Sequence, residues 1–330
     1  MTILNLKNSL LAVTAGASLV AASCSLAASW PQQPIRLVVP FPAGGNIDAT
    51  ARIIAKGLGE QMKATFVVEN KAGAAGLVGA QSVKRANPDG YTALLASTGS
   101  LAAMRALDPN VPLDPVKDFV SAGPISIAPM LLIVNKDLPA KTLPAFLEYA
   151  RNNPGKLTMG SAGTGTSNHL AGEMFQNLSH TKFLHVPYKG SGPAMTDLIG
   201  GQIDLMFDQM ASSLPQVKSG KVRALAVTTD KQSALMPDLP TIASEDMKDY
   251  EASTTTGILF PAGTPAQVTK QMNDALQTVL QNADIRKQLQ QLGTEARPGT
   301  PEDFQHILKS ETDKWSGVVK AAGITKNAHQ

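Results

Sequence analysis

The chain has 330 residues, room for two domains of about 150 residues each. Lys+Arg 29 against Asp+Glu 26 leaves a net charge of +3 with 17% charged residues, which excludes both a strongly basic nucleic-acid face and an acidic disordered tail. Nine Phe, four Tyr and two Trp are few for a site that stacks sugars or bases, and one Cys excludes an intramolecular disulfide, a zinc ribbon and an iron–sulfur cluster.

Lys7 is the sole charged side chain of residues 1–28, and from Ser9 to Ala28 the chain is small and apolar. Leu10, Leu11, Val13, Leu19 and Val20 supply an apolar core, and 25–27 is a small-x-small cleavage site, so residues 1–28 are predicted to be a secretory signal peptide. The Ser, Thr, Gly and Ala content of this run makes it a poor bilayer span, and no later stretch approaches the ~20 apolar residues of one. Cys24 follows the small residues Ala21-Ala22-Ser23 that can precede a lipidated Cys, but lacks a Leu three places before it and reads as a discarded leader residue. A mature chain without Cys suits export without oxidative folding.

Short apolar or β-branched runs bounded by turn residues fall at 35–41, 65–69, 93–97, 131–135, 157–161, 183–188, 204–207, 223–228 and 257–260. Most are continuous instead of alternating, which predicts strands buried on both faces. Helical patterns lie between them, so the fold class is α/β with mainly parallel sheets. After the first strand, Ile47, Ala51, Ile54, Ala55, Leu58 and Met62 form one helical stripe, and Leu170, Ala171, Met174 and Leu178 mark a helix over 167–178. A short helix opens at Pro193 after Gly192 and stops at Gly200-Gly201. The C-terminal helix begins with a cap, a Pro and two acids, Thr300-Pro301-Glu302-Asp303, and buries Phe304, Ile307, Leu308, Trp315 and Val318. There is no fixed-period repeat or flexible linker; two domains would be joined by extended strands near 123–129 and 252–257, where Gly, Pro, Ser and Thr concentrate.

Three strand-to-helix junctions are rich in Gly, Ser and Thr: 40–48, 161–168 and 188–193. In a parallel sheet such junctions lie at the carboxyl ends of strands, where α/β proteins bind ligands. Unpaired N–H groups of a first helical turn can there hold a carboxylate or phosphate without Arg. Any one loop is explained by tight turns and caps alone; three together point to a site. Gly163-Thr164-Gly165 starts like a dinucleotide fingerprint but has Asn168 at the third Gly position, and no P-loop, GxSxG elbow, HExxH or EF-hand occurs. His169, His180, His185, His306 and His329 show no metal-ligand spacing, so neither metal nor cofactor is expected. Asp48 sits in a helical first turn, where its dipole role suffices. Asp208, ending an apolar strand, is balanced between ligand recognition and a strand-end turn.

The chain resembles the Bug family, periplasmic solute-binding proteins of tripartite tricarboxylate transporters. The resemblance covers the whole mature chain through ordered blocks: VPFPAGG at 39–45 with Asp48 and Arg52, ENKAGAAG at 69–76, NPDGYT at 87–92, GSAGTGTS at 160–167, HVPYKG at 185–190, DLIGG at 197–201 and FPAGTP at 260–265. It implies a type II periplasmic-binding fold, two α/β lobes of mixed, mainly parallel sheets joined by two crossing strands, with 29–127 plus 256–330 as the first lobe and 128–255 as the second. It also implies a non-enzymatic monomer that closes on a small organic acid or acidic amino acid and delivers it to a membrane permease. By resemblance Phe41, Ala43, Gly44, Gly45, Ala162, Gly163, Thr166 and Ser167 lie at the ligand, joined by Asp48, Ser97, Tyr188 and Asp208. A sensor partner in place of the permease, or an exported hydrolase using Asp48, Asp208 or His169, are the rival readings. Thr254-Thr255-Thr256 replace aromatics common in relatives, which predicts a more open cleft or hinge, and Glu245-Asp246-Met247 replace a usual Glu-x-Gly.

Overall fold

The computed structural model describes residues 30–108 and 110–324; the predicted leader, Cys24 within it and His329 lie outside the described residues. In chain order the first part holds β1 (Ile35–Val39), α1 (Asn46–Met62), β2 (Phe66–Asn70), α2 (Leu77–Lys84), β3 (Thr92–Ser97), the short α3 (Thr98–Leu101) and α4 (Met104–Leu107), and β4 (Phe119–Asn135). Then come α5 (Leu143–Asn152), β5 (Thr158–Ser161), α6 (Ser167–Ser179), β6 (Leu184–Pro187), α7 (Ser191–Ile199), β7 (Leu205–Gln209), α8 (Met210–Lys218) and β8 (Val222–Val227). The chain returns through β9 (Ser253–Pro261), α9 (Ala266–Gln281), α10 (Ala283–Gln291), β10 (Glu295–Ala296) and α11 (Pro301–Ala321).

The strands follow the order β2-β1-β3-β9-β4-β7-β5-β6, with β8 and β10 also paired to β4. Strands β1, β2 and β3 pair in parallel, as do β5, β6 and β7, because helices connect them. Every pair made by β4 or β9 is antiparallel, so the sheets are more evenly mixed than the apolar runs predict. Strand β4 is the physical link: residues 119–129 pair with β9, and 130–135 pair with β7 and β8. The expected strand at 131–135 is only its second half. Gly123 and Pro124 read as turn residues, yet the β4–β9 register shifts on either side of them, which lets the strand run through.

Burial on both faces explains the continuous apolar runs. Leu37 and Val39 pack with Ile54 and Leu58 of α1 and Leu276 of α9, whereas Val38 between them packs with Leu259, Phe304 and Leu308. In the second half of β4, Leu132 and Val134 join a cluster with Phe146, Phe175 and Phe207, while Leu131 and Ile133 face Leu198 and Met206. Each such side chain contributes about 1.5–3 kcal/mol when fully buried. Helix α11 starts with the expected cap: the Thr300 hydroxyl accepts the Asp303 N–H at 3.1 Å, and the Asp303 carboxylate accepts the Thr300 N–H at 2.8 Å. It crosses from one lobe to the other, with Phe304 and Leu308 in the first-lobe core and Trp315 and Val319 in the second. Val319, not Val318, is its last buried apolar residue; Val318 is half-buried. Among the described residues no helix is long and apolar enough to cross a membrane.

Candidate functional site between the two lobes

The loop from β1 to α1 is pinned from below by one carboxylate. Asp48, buried in the first turn of α1, accepts the Gly44 N–H at 2.9 Å, Arg52 Nε at 3.0 Å and Asn70 Nδ2 at 2.9 Å. Asn70 also donates to the Phe41 carbonyl at 3.1 Å, so both ends of the loop are tied to the same group. The Arg52 guanidinium first, then the Gly44 and Asn70 donors, hold the Asp48 carboxyl down at about 2 against the opposing effect of burial. Gly44 turns the chain with φ 85°, where a side chain would be strained.

The loop from β5 to α6 is held by neutral groups instead. The Gly163 N–H donates to Ser161 Oγ at 3.1 Å, and the Thr166 hydroxyl donates to the Gly163 carbonyl at 2.7 Å. Thr166 also caps α6 by accepting the His169 N–H. Gly165 donates its N–H to His169 Nδ1 at 3.1 Å, which places the imidazole proton on Nε2, 3.3 Å from Glu173 Oε1. His169 stacks on His185 with centroids 3.8 Å apart and ring planes 13° apart, and His185 Nε2 lies 2.7 Å from Ser161 Oγ. The two rings thus form a floor under the loop.

At the end of β7, Asp208 is fully buried and receives Asn168 Nδ2 at 2.9 Å, Ser212 Oγ at 2.5 Å and Ser213 Oγ at 3.1 Å. Its carboxylate anchors the start of α6 to the start of α8. The Tyr188 hydroxyl donates to Asp197 at 2.7 Å; burial first, then that carboxylate, pushes the phenol up to about 12. Among the described residues no group of three His, Cys, Asp or Glu could hold a metal ion.

The two loops face a cavity of about 680 Å³, within the usual range for a small-molecule site. Of the residues expected at the ligand, Phe41, Ser97, Ala162, Thr166 and Ser167 line it. Asp48, Gly163, Tyr188 and Asp208 do not: they stand behind the lining and shape it. Ala43 is exposed and outside the lining, and Gly44 and Gly45 edge a neighbouring depression of about 350 Å³ with Ala211 and Ser212. Asn46, the first residue of α1, borders both spaces. A third depression, between α6 and α11 near Lys182 and Val318, lies away from these loops.

Sequence reasoning missed the far wall. It comes from 74–77, where Ala74 and Ala75 adopt left-handed φ of 46° and 54°, and from 99–108 with Val111, where the four-residue helices α3 and α4 carry no usable periodicity. Of the three threonines, Thr254 lines the cavity, while Thr255 and Thr256 are buried in hydrogen bonds with Thr98 and Ser126. At 245–247, Asp246 takes a left-handed φ of 57°, a conformation that favours Gly.

Residues 50–324 match the sequence profile of the tripartite tricarboxylate transporter family receptor, TctC. A protein of Pseudomonas sp. strain P51, encoded in the tcbD-tcbE intergenic region, is 38% identical over 91% of this chain and 89% of its own length. The periplasmic binding protein BugD superposes with a TM-score of 0.72 at 37% identity, covering 89% of this chain and 99% of its own. An R. palustris protein solved with adipate superposes at 0.75 with 34% identity, covering 89% and 98%. Profile, sequence and fold agree across both lobes, and the chain belongs to the Bug family of periplasmic solute-binding receptors of tripartite tricarboxylate transporters.

Proposed function

We propose that this protein captures a small organic carboxylate in the interlobe cleft and hands it to the membrane permease of a tripartite tricarboxylate-type transporter. The observation that carries the reading is the convergence of two long helices on one cavity. Asn46 and Ile47 of α1 and Ser167 and Asn168 of α6 line it from opposite lobes, so two positive dipole ends and their first-turn N–H groups face one space. A carboxylate there needs no cationic side chain. The family and the adipate-bound relative support the same chemistry. Ligand favours the closed arrangement because only closure lets both helix ends reach it.

On this reading the lobes are 29–127 plus 256–330 and 128–255, with α11 strapping across both, and residues 1–28 are a cleaved signal peptide. Phe41, Ser97, Ala162, Thr166 and Ser167 touch ligand, while Ala43, Gly44, Gly45, Asp48, Gly163, Tyr188 and Asp208 set the loops that do. The protein acts as a monomer and makes or breaks no bond. That Asp48, Asp208 and the ring nitrogens of His169 are engaged within the fold supports this over hydrolysis. A thermal-shift screen of ligand-stripped protein tests the proposal. A carboxylate at 100 times its dissociation constant should stabilise by about 2.7 kcal/mol. Stabilisation by neutral sugars, with none by any carboxylate, would overturn it.

A further inference from the structure

We infer that the carboxylate taken by this chain carries a single charge on a bulky apolar body, such as an aryl, cycloalkyl or medium-chain alkyl acid. This rests on the carboxylate reading above and narrows it. The cavity lining divides by chemistry. Most of its polar groups, Ser97, Thr166, Ser167, Asn168, Gln209 and Thr254 among them, come from the strand ends and the start of α6; Asn46 opens α1, and Ser100 of α3 and Asp108 stand on the first-lobe side. Its large apolar side chains, Phe41, Ile47, Leu77, Met104, Leu107 and Val111, all come from the first lobe. Among the described residues no Lys, Arg or His lines the cavity, and the one charged side chain in the lining is an acid, Asp108.

One carboxylate is accommodated where the α1 and α6 ends meet. A second carboxylate on the same ligand would have to lose water against Leu77, Met104 or Leu107, which offer it no donor, and an unpaired buried charge is strongly disfavoured. A hydrocarbon body in the same place loses water at no such cost and gains contact area. The two lobes also meet at this wall: a Cβ placed on Gly165 would lie 3.0 Å from Leu107 Cδ2, so the second-lobe loop already rests on the apolar segment of the first. Closure would therefore cover the apolar body as well as the charge.

Isothermal titration of ligand-stripped, full mature protein tests this with benzoate, cyclohexanecarboxylate and hexanoate against succinate, adipate and citrate, with benzamide as the neutral isostere. The apolar monocarboxylates should bind at least about tenfold more tightly than any di- or tricarboxylate. In Leu107→Arg that order should reverse, with adipate gaining and benzoate losing, while Met104→Gln, a milder change, should weaken benzoate alone. Unchanged circular dichroism and melting temperature identify folded variants. Adipate or citrate binding as tightly as benzoate overturns the inference and leaves the carboxylate reading standing. Benzamide binding as tightly as benzoate, or no carboxylate binding at all, overturns both.

Discussion

The two loops that frame the cleft share composition and position but are braced by opposite chemistry. The β1–α1 loop hangs on an ionised network, Asp48 with Arg52 and Asn70, whereas the β5–α6 loop hangs on hydroxyls and a stacked pair of imidazoles. A carboxylate brace is available to the first loop because Arg52, one turn further along α1, keeps its charge at the protein surface. Beside the second loop stands a buried carboxylate at the end of β7, Asp208, already committed to Asn168 and two serines. Another buried anion there would be costly, and neutral acceptors do the same positioning at lower expense. Gly-rich loops of similar appearance can therefore fail in different ways.

The sharpest way to separate the loops is to add charge where the ligand is proposed to sit. Ser167→Asp places a carboxylate in the first turn of α6, where it favours the helix dipole but repels a ligand anion. Affinity should fall by about 100-fold or more, close to 2.7 kcal/mol, while melting temperature holds or rises. Retained affinity would remove the α6 end from the site. Asp48→Ala attacks the other loop by leaving the Gly44 N–H and Arg52 without their shared acceptor. A stability loss of about 1–3 kcal/mol is expected by chemical denaturation, with weaker binding following from a loosened loop. No change in stability would mean that the ionised network is ornamental.

His169→Ala removes the Nδ1 acceptor of Gly165 and one half of the stacked floor. Affinity should drop by roughly tenfold, about 1.4 kcal/mol, and His169→Gln should recover part of it if hydrogen bonding to the loop is what matters. Equal loss in both variants would assign the effect to ring packing.

The smallest effects are expected from pH, and they differ in sign across the molecule. Asp48, depressed to about 2 in the fold, stabilises above its ordinary value of 3.8, and that stability is lost as pH falls toward 2. At the α11 strap the sign is opposite. Burial first, with the nearby Glu251 carboxylate adding to it and Lys314 opposing, pushes Glu311 up to about 7. Its contribution is full below the ordinary value of 4.5 and is lost as pH rises through about 7. Glu311 also accepts the Trp315 indole N–H at 2.8 Å, so Glu311→Gln keeps an acceptor while removing the titration. The decline in melting temperature through neutral pH should flatten in that variant, and an unaltered slope would exonerate Glu311.

How much of this was legible in the sequence follows from what each position depends on. Helices α1 and α11 were readable because a stripe and a cap are local: Ile54 and Leu58, or Thr300 and Asp303, determine them without distant partners. Strand β4 was half-hidden because Gly123 and Pro124 signal a turn locally, and only pairing to β9, more than a hundred residues later, overrides it. The same logic governs the site. Thr166 and Ser167 stand out in a junction rich in Gly, Ser and Thr, but Leu107 is an ordinary apolar residue until the fold brings Gly165 against it. Asp48 and Asp208 drew attention as acids, yet their roles depend on Asn70 and Asn168, whose amides no spacing rule connects to them.

A crystal structure of the protein with benzoate bound is the decisive measurement of where the carboxylate sits. Both lobes should engage one carboxylate, with its oxygens within hydrogen-bond distance of first-turn groups of α1 at Asn46–Ile47 and of α6 at Ser167–Asn168, and the ring against Leu77, Met104 and Leu107. A carboxylate turned toward those apolar side chains, or a ligand seated between α6 and α11 near Lys182, would contradict it.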